Sequence, residues 1–162
     1  YNFSKNEEGQ SLNFYEYGLQ NSRGFRALKV WMGLQQIGSN GYKKMIAEDI
    51  KLSELLFDLA DKHPALEAMT QNLSITTLRY VPTENLPDDK NTRESYLNTL
   101  NENLLNKLQQ KGEVFLSNAI INEKYCLRGC IVNFRTSERD IEEIVEIIAR
   151  MGLSTHQQLQ TK

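Results

Sequence analysis

Cysteine, histidine and proline are scarce in this 162-residue chain, which holds two, two and three of them. The cysteines, Cys126 and Cys130, fall in one strand-like run. Extended backbone at roughly 3.3 Å per residue sets them about 13 Å apart, well beyond the roughly 7 Å that a disulfide spans. Both are expected to be reduced core thiols of an intracellular protein. His63 and His156 have no second histidine or cysteine at ligand spacing, which excludes a legible zinc site. The same scarcity leaves no Ser-His-Asp or Cys-His system. An excess of one charge is also missing: nineteen basic residues stand against twenty-one acidic ones. Nucleic acid and membrane surfaces, which need a concentrated positive field, are therefore not expected partners. No apolar run approaches the roughly 18–20 residues of a spanning helix and no secretory signal opens the chain, so the expected location is cytoplasmic.

What is present is an ordinary globular composition, 40% hydrophobic and 25% charged. The length is one domain's worth by the prior of roughly 100–200 residues. Residues 1–22 carry Phe3, Phe14, Tyr15 and Tyr17 without helical period and read as a lead-in from a longer chain. From Gly24, Phe25, Leu28, Trp31, Leu34 and Ile37 follow helical spacing. Gly38-Ser-Asn-Gly41 interrupts that helix, and Ser39 or Asn40 is placed to cap a second one. The second helix has the stripe Tyr42, Met45, Ile46, Leu52, Leu56, Leu59 and Ala60, and it ends at His63-Pro64. Strands are expected at 66–70 and 74–81, then a loop over 82–92. A third helix capped by Asn91 or Thr92 runs to Gly112 with Leu97, Leu100, Leu104 and Leu108. Strands at 114–117 and 125–134 come next. Ser137 and Asp140 have capping-box spacing before the stripe Ile141, Ile144, Val145, Ile148 and Met151. Gly152 is expected to end that helix, leaving 153–162 as a frayed tail. This order predicts an α+β fold, a small antiparallel sheet covered on one face by helices.

Few residues invite a functional role. Gly33-Leu-Gln-Gln-Ile-Gly38-Ser-Asn-Gly41 lacks the Lys-Ser/Thr pair and the preceding strand that a phosphate loop requires, so a helix–helix turn explains it better. Strand alternation sets Arg128 on the face of Cys126, Cys130 and Val132, which is otherwise apolar. A guanidinium there needs an anion, since an unpaired buried charge costs several kcal/mol. A structural carboxylate and a bidentate ligand carboxylate both satisfy it. Arg135, at a strand–helix junction, is expected to be structural. Arg23 and Arg26 stand at a helix start, against the dipole preference for anions, and suggest an anionic neighbour.

Two words carry more. Gln20-Asn-Ser-Arg-Gly-Phe-Arg-Ala-Leu-Lys-Val-Trp31 and Leu127-Arg-Gly-Cys-Ile-Val-Asn-Phe-Arg-Thr136 resemble the C-terminal part of group II pyridoxal-phosphate-dependent amino-acid decarboxylases. His63-Pro64-x-Leu66-Glu67 stands between them in the expected order, and the likeness covers about residues 11–152. The resemblance implies the C-terminal small domain of a fold-type I enzyme over 24–152. Residues 1–23 would lead in from a missing large cofactor-binding domain, and 153–162 would form a C-terminal tail. It further implies pyridoxal 5′-phosphate in the full-length protein and none on this fragment, an amino-acid substrate, and a homodimer. The family's Schiff-base lysine follows a histidine in an upstream Asn-x-His-Lys-like word, which does not occur here, so the fragment alone is expected to be inactive.

By the same resemblance Arg128 matches the Leu-Arg arginine that reaches the substrate carboxylate in the glutamate decarboxylases. Ser22 matches a position near the substrate side chain in the aromatic and histidine decarboxylases. For Ser22, a helix N-cap beside Arg23 remains an equal account. Gly24 stands where many members have a second arginine. An aminotransferase-like enzyme and a non-catalytic binding domain of the same fold are the alternative functions.

Overall fold

A computed structural model describes Leu19 and residues 24–161. Seven elements follow one another: α1 (Ala27–Lys62), β1 (Leu66–Asn72), β2 (Ile75–Tyr80), α2 (Lys90–Lys111), β3 (Ser117–Ile121), β4 (Lys124–Cys130) and α3 (Glu138–Gln160). The strands form one antiparallel sheet in the order β1-β2-β4-β3. The molecule is thus the expected α+β arrangement. It parts into two compact units at Ser39/Asn40.

In the first unit, the helix beginning at Ala27 runs to Gly38, whose φ of 69° and ψ of 169° break the helical path. Only glycine takes that conformation without strain. The four-residue interruption expected from the sequence therefore reduces to one residue. The stripe Phe25, Leu28, Trp31, Leu34 and Ile37 is exposed, with Trp31 at 57% and Phe25 at 72%. A helix with that much uncovered apolar surface is built to be buried.

In the second unit, α1 continues to Lys62, and its Leu56 and Ala60 enter one core. Helix α2 adds Leu97, Leu100, Leu104 and Leu108, and α3 adds Ile141, Val145, Ile148 and Met151. From the sheet come Leu66, Leu78 and Leu127, all on one face. At roughly 25 cal/mol per Å² of buried apolar surface, this shared core is the main favourable term. Two polar clips fix the sheet against it. Thr76 donates to the Ser53 carbonyl at 2.6 Å. The Asn101 side chain takes the Tyr80 N–H at 2.7 Å and returns a bond to the Tyr80 carbonyl at 2.9 Å. Asn101 thus continues a ladder where β2 has run out of partners, which a buried backbone amide needs.

Several expected boundaries move, each for a local reason. The third strand lies over 117–121, not 114–117. It joins β4 through a tight hairpin turn at Asn122 and Glu123, with φ of 50° and 66°. That turn carries no Asn-Gly word; instead the α2 residue Asn98 donates to the Glu123 carbonyl and accepts from Tyr125 N. The fourth strand stops at Cys130, opposite Ile75, the first residue of β2, having passed its last β3 partner at Arg128. Asp89 caps α2, where Asn91 or Thr92 was expected. Its carboxylate accepts the Thr92 N–H and hydroxyl, and those bonds hold it below the usual carboxylate range. Gly112 closes α2 in the left-handed region, and the Ser137–Asp140 capping box opens α3, both as the spacing predicted.

Gly152 does not end α3, and the segment read as a frayed tail is helical to Gln160. The glycine serves an approach, not a stop: a Cβ there would lie 2.4 Å from the Tyr80 ring. Beyond it Thr155 and His156 are buried. Tyr96 and His156 Nδ1 are 2.6 Å apart, and the Gln160 amide nitrogen reaches both His156 Nε2 and the Asn85 carbonyl. An amide N–H aimed at Nε2 leaves the proton on Nδ1, so His156 donates to Tyr96. Gly152→Ala is expected to lower the urea midpoint of the chain. The overpacking cost of about 1–3 kcal/mol exceeds the roughly 1 kcal/mol of helix propensity that alanine returns. A midpoint that rises would mean the Tyr80 ring moves aside freely.

Candidate functional site

The face of the sheet opposite the core mixes polar and apolar residues, and its rows follow from the register. Thr77, Arg128 and Ser117 lie side by side across β2, β4 and β3. In the next row Glu67 pairs with Arg79, and Cys126 pairs with Ala119. Arg128 therefore shares its face with Cys126 and Cys130 as the alternation predicted. Its direct cross-strand neighbours are the Thr77 and Ser117 hydroxyls, with Ile75, Ala119 and the two cysteines around them, so the face is mixed where an apolar one was expected, and Val132 lies beyond the end of β4.

The two arginines of this face differ in their partners. Arg79 is 3% exposed and closed off by acids: Nε donates to Glu67 at 2.6 Å and Nη1 to Glu94 at 2.7 Å. Lys124 joins Glu67 at 2.9 Å, so two cations and two carboxylates form one balanced set. Burial works against the charge on Glu67, but hydrogen bonds from Lys124 and Arg79 outweigh it and hold its carboxyl below the usual range. The Arg79 hydrogen bond does the same for Glu94. Arg128, half-buried, has no carboxylate within ion-pair distance among the described residues. Its Nη1 donates to Ser117 Oγ at 3.5 Å, and the Ser117 hydroxyl donates to the Arg128 carbonyl at 3.4 Å. A structural ion pair for Arg128, one of the two accounts open from the sequence, is not present among these residues. Neither Arg79 nor Ser117 stands out in the sequence; the signal for Arg79 was the Glu67 of the His-Pro word, set across from it by the hairpin.

The remaining candidates divide plainly. Ser22 and Arg23 lie outside the described residues. Arg135 is exposed, with its guanidinium 5.4 Å from the Phe134 ring, a contact in keeping with a local role. Cys126 is buried and Cys130 exposed, so only one of the two is a core thiol; both are free. Burial pushes the Cys126 thiol up, which leaves it a poor nucleophile. His63 Nδ1 accepts the Ala65 N–H just past the end of α1, and His156 Nδ1 lies 2.6 Å from the Tyr96 hydroxyl. Among the described residues no three His, Cys, Asp or Glu side chains group as a metal site, and no helix is long and apolar enough to cross a membrane. A groove between the 114–116 segment and α3 is lined by Val114, Leu116, Ile131, Ile141 and Ile144. Glu113, Cys130, Asp140 and Glu143 also line it, and Arg128 does not.

The chain as a whole is similar to known proteins. Over 141 residues the chain is 33% identical to an aromatic-L-amino-acid decarboxylase of Bacillus atrophaeus, covering 86% of this chain and 28% of that protein. It is 26% identical to tyrosine decarboxylase 2 of Arabidopsis thaliana over 91% of this chain and 26% of the relative. Among solved structures, Catharanthus roseus tryptophan decarboxylase in complex with L-tryptophan superposes with a TM-score of 0.71 at 21% identity, over 88% of this chain and 29% of the other. Mouse CSAD in the apo form gives 0.73 at 19%, over 83% and 29%. At those identities the structures establish the fold alone. The chain spans less than a third of the length of these relatives. The likeness to amino-acid decarboxylases that the two sequence words suggested is thus carried along nearly the whole chain. A family model, the PDXDC1-like second central domain, matches residues 57–160, from the end of α1 through α3, and the chain belongs to that family.

Proposed function

We propose that this chain is the C-terminal small domain of a pyridoxal-phosphate-dependent amino-acid decarboxylase, a carbon–carbon lyase releasing CO2 from an L-amino acid. In it Arg128 receives a carboxylate of the substrate. One observation carries the proposal: a half-buried guanidinium with no carboxylate beside it among the described residues, on a sheet face whose other arginine is fully neutralised. A fork of N–H donors in that state is suited to bidentate capture of an incoming carboxylate. The names of the sequence relatives support the reaction, and those of aromatic-acid and tyrosine decarboxylases favour an aromatic substrate.

Under this proposal the cofactor, the lysine that binds it and the histidine that stacks on it belong to a large domain preceding this one. The electron sink for decarboxylation is the cofactor's contribution, and the fragment alone binds none and is inactive. Residues 1–23 are the lead-in, and Ser22 is a position near the substrate side chain. The uncovered helical stripe of residues 25–37 supports burial against that large domain. The assembled protein is a cytoplasmic homodimer of fold-type I.

The test is product analysis with the full-length protein on L-tryptophan, L-tyrosine, L-phenylalanine and L-glutamate. Stoichiometric CO2 and amine are expected. A keto acid without CO2 would instead mark an aminotransferase, and absence of turnover with every amino acid would leave a binding domain.

A further inference from the structure

We propose that Ser117 is a positioning residue that aims Arg128 at the substrate carboxylate, an inference that rests on the carboxylate-binding role of Arg128. Ser117 stands directly opposite Arg128 in the β3–β4 register. A serine hydroxyl has one proton, and here it points to the Arg128 carbonyl at 3.4 Å. The lone pairs are thereby turned toward Nη1, which donates to the same oxygen at 3.5 Å. The serine thus ties both the backbone and the tip of one residue.

The opposite neighbour cannot do this. Thr77 flanks Arg128 on β2, but its hydroxyl is engaged with Thr70, 2.7 Å from the Thr70 Oγ1 and 3.1 Å from the Thr70 N–H. Ser117 is the one described side chain hydrogen-bonded to the guanidinium. It engages Nη1 and leaves the Nε–Nη2 edge without a partner among the described residues, the edge a carboxylate grips with two parallel bonds. Both contacts are long for hydrogen bonds.

The experiment uses the full-length enzyme and the best substrate of the four amino acids above, with its methyl ester as a competitive inhibitor lacking the carboxylate charge. Ser117→Ala is expected to raise KM roughly tenfold, the scale of a lost hydrogen bond to a charged group. The ester's inhibition constant and kcat should hold. Ser117→Thr, which keeps the hydroxyl, should return KM to the parent value. In an Arg128→Ala background, Ser117→Ala should add nothing. Far-UV circular dichroism and an unchanged ester constant establish that each variant folds. Unchanged KM in Ser117→Ala with raised KM in Arg128→Ala overturns the positioning role and leaves the carboxylate role of Arg128 intact. Additive effects in the double variant, or equal loss of ester and acid binding, also overturn it. Unchanged KM in Arg128→Ala overturns both.

Discussion

Arg128→Ala in the full-length enzyme is expected to lower kcat/KM for the amino acid about a hundredfold or more, almost entirely through KM. Truncating one side of a desolvated charge pair costs roughly 2–5 kcal/mol, because the carboxylate is then held without its partner. To the extent that the departing carboxylate still carries its charge in the transition state, the contact persists there and its loss appears in KM with kcat in place. The variant should not disturb the fold, since among the described residues the guanidinium makes one long hydrogen bond, to Ser117. Cofactor affinity, followed by equilibrium titration of the apoenzyme, should be unchanged. Arg128→Lys should fall between the two, as an ammonium supplies the charge without the planar fork. Parallel loss of cofactor and substrate binding, or a thermal transition lowered as far as the activity, would mean that Arg128 supports the structure and meets no ligand.

What the sequence discloses of this site depends on the range of the interaction involved. Helices α2 and α3 are legible because their apolar stripes and the Ser137–Asp140 box are local patterns, each spanning a few residues. The hairpin at Asn122–Glu123 is not, because its turn is fixed by Asn98, twenty-five positions back. Gly152 misleads for the same reason. Its glycine is required by the Tyr80 ring, a contact between a helix and a strand far apart in the chain, and read locally it is a helix stop. Arg128 could be placed on the correct face by alternation alone. Whether that face was apolar or mixed turned on Thr77, Arg79, Glu67 and Ser117, whose register no single strand encodes.

Arg79 marks the other extreme of this face, and its removal should be costly to stability. Arg79→Met keeps much of the aliphatic stem but leaves Glu67 and Glu94 facing a position that had joined them. Breaking a buried ionic set by deleting one partner costs roughly 3–5 kcal/mol. Both acids remain partly exposed and Glu67 keeps Lys124, so the loss should fall at the lower end, about 3 kcal/mol at neutral pH. The pH dependence has a definite sign. Glu67 and Glu94 are held below the ordinary carboxylate range in the folded parent chain. Their ion-pair stabilisation is therefore complete above the unfolded glutamate value of about 4.3, and it is lost as pH falls through the lower folded values. The methionine variant lacks most of that stabilisation, so the parent loses more on acidification than the variant does. Urea midpoints at pH 7 and near pH 3.5 should show the gap between the two proteins narrowing at the acidic end. A gap of constant size would assign the role of Arg79 to the packing of its stem, because a stem, unlike an ion pair, is indifferent to protons.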